Sequence, residues 1–142
     1  MAVRLTDKIL PLNDAFTGMV DADQVIGVIV NKTFAAETPT GSEDFPHFHF
    51  TNKAITVSEI RAVLVGSDTP SVTWTIRHST DRSAAGNEVV TGGTTTTSIS
   101  AGSDVTSFND ATIPADSFIW VETTAQSGTV DSIAITMIAS ID

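Results

Sequence analysis

Apolar and polar residues alternate along much of this chain with a period of two. In "SVTWTIRHSTDR", Val72, Trp74 and Ile76 fall on one side and Thr73, Thr75 and Arg77 on the other, with His78 in the next inward position. Successive side chains of a strand point to opposite faces, so this pattern predicts a half-buried strand. The cleanest case is the C-terminal run. Ile133, Ile135, Met137, Ala139 and Ile141 share one face there and Ala134, Thr136 and Ser140 the other, with Ile138 departing. Helical periodicity is nearly absent, and short β-branched runs recur between turn-forming clusters. Strands are predicted over Gln24–Asn31, His47–Thr51, Ala54–Val65, Val72–Ser79, Asn87–Thr91, Thr94–Ser100, Ser117–Thr124 and Thr129–Ile141. The linkers "GSDTPS", "DRSAAGN", "TGG", "SAGSD" and "AQSGT" carry the Gly, Asp, Asn, Ser and Pro that tight turns require.

The expected fold is all-β: an antiparallel β-sandwich, jelly-roll-like, over residues 24–142, with Trp74, Ile76, Trp120 and Ile135 in its core. Between Ala54 and Val65 the apolar parity switches from Ile55 and Val57 to Ile60, Ala62 and Leu64, which predicts a β-bulge near Ser58 and Glu59. Residues 1–23 follow neither period. Val3, Leu5, Ile9, Leu10, Leu12, Phe16 and Met19 are irregularly spaced, and Pro11 and Gly18 interrupt them. This segment reads as an extended N-terminal arm, too apolar to be left in water and destined for its own domain or for a neighbouring subunit. The Thr-, Ser- and Gly-rich stretch Val89–Ser107 reads as an exposed hairpin.

Composition narrows the function classes. The 142 residues suit a single domain with a sizeable core, and the absence of cysteine excludes disulfides and thiolate metal sites. Seventeen acidic residues stand against seven basic ones, and the basic residues are dispersed, which argues against a nucleic-acid partner. "MAVRLTDKILPLNDAF" carries charge where a signal peptide needs an unbroken apolar region, and the apolar runs are too short to span a bilayer, so no secretion signal and no membrane partner are expected.

Three histidines are the chemical candidates. "GSEDFPHFHF" matches the opening of the first cupin motif through Gly41, His47 and His49. The glutamate that should follow within a few residues is replaced by Lys53 and Ala54, and no second motif appears. A three-histidine zinc site from His47, His49 and His78 is chemically conceivable. The plainer reading turns Phe48 and Phe50 to the core and the two histidines outward. In "HSTDR", His78, Ser79 and Asp81 stand too close in sequence to line up as a triad, and Asp81 reads as a turn initiator. No catalytic, metal or cofactor site is therefore expected, and the chain is read as a non-enzyme.

"SEIRAVLVGSDTPSVTWTIRHSTDRSAAGNEVVTGGTTTTS" and "GSDVTSFNDATIPADSFIWVETTAQSGTVDSIAITM" together resemble small all-β virion proteins of tailed bacteriophages, among them head decoration (cement) proteins and tail-appendage domains. The resemblance covers Ser58 to Met137 and is most specific at "IPADSFIWVETTAQSGTVDSIAI". It implies a virion structural protein on the capsid surface, assembled in the host cytoplasm, that contacts the major capsid protein, bridges capsomers and forms a homo-oligomer, commonly a trimer. The alternatives are a tail-fibre or head-fibre module that binds a receptor or carbohydrate and, more distantly, a cupin-like metal-dependent enzyme.

Overall fold

The computed structural model describes residues 28–46 and 48–142. The arm residues Val3, Leu5, Ile9, Leu10, Leu12, Phe16 and Met19, the boundary at residue 23 and His47 lie outside the described residues. Among the described residues there is no helix, and so none long and apolar enough to cross a membrane. The strands are β1 (Ile29–Glu37), β2 (Glu43–Asp44), β3 (His49–Thr51), β4 (Ile55–Ser79), β5 (Asn87–Glu88), β6 (Thr94–Thr96), β7 (Ser103–Val105), β8 (Thr112–Ile113) and β9 (Ser117–Ile141). All join one antiparallel sheet.

Two strands of 25 residues each, β4 and β9, organise it. They pair from Ile55 opposite Ile141 to Ser79 opposite Phe118. The other edge of β9 carries β1 along its C-terminal half and β2 and β3 along its N-terminal half. The other edge of β4 carries β8, β7, β6 and β5 in that order from its start.

"GSDTPS" and "AQSGT" do not end strands, as their composition predicts. They lie inside β4 and β9, so each pair of expected strands is one long strand. Ser67 pairs with Thr129 and Ser71 with Ser127, leaving Asp68, Thr69 and Pro70 opposite Gly128 alone. Asp68 and Thr69 have φ of 57° and 58°, and Gly128 has 67°. The turn-forming residues of both strands therefore meet at one irregularity, where a bulge bends the ladder without breaking it. Glycine is required here for space as well: a Cβ on Gly66 would lie 2.1 Å from the Thr129 carbonyl oxygen. Further register shifts fall at Val65/Gly66, at Thr73/Trp74 and at Val57/Glu59, the last at the predicted bulge.

The sheet curls around one apolar cluster. Phe34 of β1, Phe45, Ile55, Ile60, Leu64, Val72, Trp74 and Ile76 of β4, and Ile119, Val121, Ile133, Ile135 and Met137 of β9 meet there, all nearly inaccessible. Inside it the Trp74 indole Nε1–H donates to Thr96 Oγ1 at 2.9 Å, so neither buried polar atom lacks a partner. That contact also corrects the expectation for Val89–Ser107. The segment does not project as a hairpin; β6 and β7 each lie against β4, and Val89 and Thr96 are fully buried. Threonine supplies hydroxyls on the outside, where Thr73 and Thr95 share a hydrogen bond, and shape on the inside.

Candidate functional site

Around β3 and the start of β9 the two faces carry different chemistry. Ile119, Val121 and Thr123 point into the core, and Phe118, Trp120 and Glu122 point outward. Register places Phe50 beside Phe118 and His49 beside Ile119. This reverses the plainer reading of "PHFHF". Phe50 stands on the outer face at 46% exposure, Phe48 is 51% exposed, and it is His49 that has the inward parity. The parity of β3 is set by its pairing to β9, which three residues of sequence cannot reveal. Both phenylalanines gather on Phe118, with centroids 5.3 Å (Phe48, edge to face) and 5.2 Å (Phe50, tilted) from it. Three neighbouring rings on an open face form a contiguous apolar patch, which on a protein surface marks a place of contact.

Next to this patch Trp120 is fully buried without belonging to the main core. Its cover is the segment after β4. The Arg82 guanidinium lies over the indole ring at 4.3 Å and bonds Asp44, and Gly86 sits so close that a Cβ would meet a ring carbon at 2.5 Å. The indole Nε1–H donates to Glu122 Oε1 at 3.0 Å. Glu122 Oε2 accepts from Arg77, which also donates to Glu88 at 2.8 Å and to the carbonyls of Ala85 and Gly86. This partly buried network ties the segment after β4 to the outer face of β9. The sequence shows Trp120 as apolar and in a strand; that it is buried on the outer face, by an arginine, has no signal in the alternation.

The histidines occupy different environments. His78 is 2% exposed, and its Nε2 lies 3.0 Å from Asp110 Oδ2. Ser79 Oγ accepts from the Asp81 amide, and the Asp81 carboxylate accepts from the Ser83 hydroxyl and amide, which hold it below the usual carboxylate range. The residue types of a triad are thus directed to three separate partners, with Asp81 opening the turn as expected. His49 is held below the ordinary imidazole pKa by burial first and by the Lys32 charge second. His49 and His78 flank Ile119 in register, one strand to each side. Among the described residues no group of three histidine, cysteine or carboxylate side chains is placed to hold a metal ion.

No protein-family model matches this chain, and no curated protein sequence matches it either. The site therefore rests on its own geometry. It is a partly exposed aromatic patch beside a charged network, suited to binding another surface.

Proposed function

We propose that this chain is a structural protein of a tailed-phage virion, a capsid decoration protein that docks on the major capsid protein at the capsid surface and links neighbouring capsomers. In this reading the curled sheet is the jelly-roll-like sandwich of such proteins, and the protein acts as a homo-oligomer, a trimer by the same resemblance. The virion setting comes from the resemblance of Ser58–Met137. The proposed mode of attachment is supported by the Phe48–Phe118–Phe50 cluster on the outer face. Aromatic rings on a strand-borne surface lose little conformational freedom on docking, and aromatic residues are enriched in the centres of protein interfaces. Repetition over a shell then converts individually modest contacts into durable attachment.

The same cluster favours a second reading, a receptor- or carbohydrate-binding module of a fibre. Sugar stacking needs a ring face laid flat toward the ligand. The Phe48 and Phe118 rings stand at 78° to each other, an arrangement better matched to interdigitation with protein side chains. Co-sedimentation of the purified protein with capsids lacking their decoration decides the matter. The natural chain should pellet with the shells, and a Phe50→Ser, Phe118→Ser variant with an unchanged circular dichroism spectrum should bind at least about tenfold more weakly. Failure of the natural chain to bind shells, combined with retention on a glycan array, would favour the fibre module.

A further inference from the structure

Apart from the aromatic patch, an apolar-floored cleft lies at the C-terminal end of β1. It measures about 580 Å³ and is lined by Ala35, Ala36, Pro46 and Ile133, with the carboxylates of Glu37 and Glu43 among its walls. Its floor is apolar and shallow because alanines stand where larger side chains would fill it. Its acidic groups select against acidic occupants and favour an apolar strand that carries positive charge.

Outside the strands of the sheet, the chain offers such a segment near its start. Residues 3–10, "VRLTDKIL", place Val3, Leu5, Ile9 and Leu10 around Arg4 and Lys8. Two of the seven basic residues of an otherwise acidic chain are gathered there, and Asp7 is the sole acid in the first thirteen positions. The Ile141 amide donates to the Val28 carbonyl at 3.0 Å, so the chain is already alongside β9 when it enters β1. The cleft is at Glu37, the opposite end of that nine-residue strand, roughly 30 Å away. The arm thus joins the domain at the end remote from its own cleft. The intervening positions 11–27 can span on the order of 55 Å when extended, which is enough to carry residues 3–10 past their own domain to a neighbouring subunit and also covers the distance to their own cleft, so the cross-link below is read for which chain it joins.

We propose that the cleft between β1 and the β2 segment receives residues 3–10 of a neighbouring copy of this chain, giving a head-to-tail arm exchange. The pairing is heterologous, arm into cleft, so every subunit gives one contact and receives one. It concerns self-association alone and holds or fails independently of the virion reading.

Because the natural chain has no cysteine, one engineered pair reports the contact without background. Full-length Leu5→Cys, Ala35→Cys protein is oxidised mildly at micromolar concentration and run without reductant beside each single variant. Bands of two and more linked chains, seen only with both cysteines and diminishing on dilution, are the expected result. A bond formed within one chain, or no bond beyond the single-cysteine controls, overturns the proposal. A charge test runs in parallel by sedimentation velocity. Glu37→Lys with Glu43→Lys should weaken self-association at least about tenfold, and adding Arg4→Glu and Lys8→Glu should restore most of it. Unchanged association in the first variant, or no recovery in the second when circular dichroism shows both folded, rules the contact out.

Discussion

At the scale of single residues, the polar atoms inside the core are the sensitive points. Trp74→Phe keeps most of the apolar volume but leaves Thr96 Oγ1 buried without its donor, so urea unfolding should show a loss of about 1–3 kcal/mol. Trp74→Ala adds a cavity and should cost about 3–5 kcal/mol. Asp110→Ala strips the buried His78 ring of its partner and should likewise cost about 1–3 kcal/mol, with Asp110→Asn recovering part of it. His49 links stability to pH. Its folded-state pKa is lowered, so the neutral form belongs to the fold and the unfolded chain takes up the proton more readily. Its contribution is therefore complete above the ordinary histidine value of about 6.5 and is lost as pH falls below it. His49→Gln should flatten the melting temperature between pH 7 and pH 5, and an unchanged slope would refute the assignment. Alternation alone placed Trp74, Ile76 and Ile135 in the core. It placed Trp120 there too, whereas Trp120 is buried on the outer face under Arg82, because a cation–π cover depends on where a loop lands.

Among the elements, the junction of β4 and β9 concentrates the backbone constraints. Gly128→Ala requires a side chain at φ 67° with its Cβ 2.6 Å from the Asp68 carbonyl oxygen, so it should destabilise by more than about 1 kcal/mol. Thr69 is β-branched at φ 58°, a conformation asparagine tolerates better. Thr69→Asn should raise the melting temperature, by roughly 0.5–1 kcal/mol of stability if most of the strain is relieved. The Ser58–Glu59 bulge was legible because it flips the apolar parity of a long run. The central bulge was not, since a cluster of Gly, Asp, Pro and Ser has the same composition whether it ends a strand or kinks one. Only the matching cluster on the facing strand, more than fifty residues later, distinguishes the two. β2, β7 and β8 were invisible for a related reason: strands of two or three residues are created by the edges they pair with and have no period of their own.

For the whole molecule, the sheet depends on contacts distant in sequence, of which the bond from Thr56 Oγ1 to Asp142 Oδ1 across 86 residues is representative. Such a topology should refold in milliseconds to seconds rather than microseconds. Stopped-flow tryptophan fluorescence can follow this, since both indoles pass from water to full burial. All-β class and antiparallel pairing could be read from the pattern of residues. The dominance of one pair of long strands, β4 and β9, could not, because it follows from register. The meeting of Val28 with Ile141 has a mechanical consequence. Tension drawing the two ends of the domain apart would load the β1–β9 ladder one rung at a time, as in opening a zipper, whereas a pull along the long axis of β4 and β9 would strain many rungs together. The domain would therefore yield softly at the edge where Val28 meets Ile141 and stiffly through its middle, so that a jolt peels an edge and leaves the core intact.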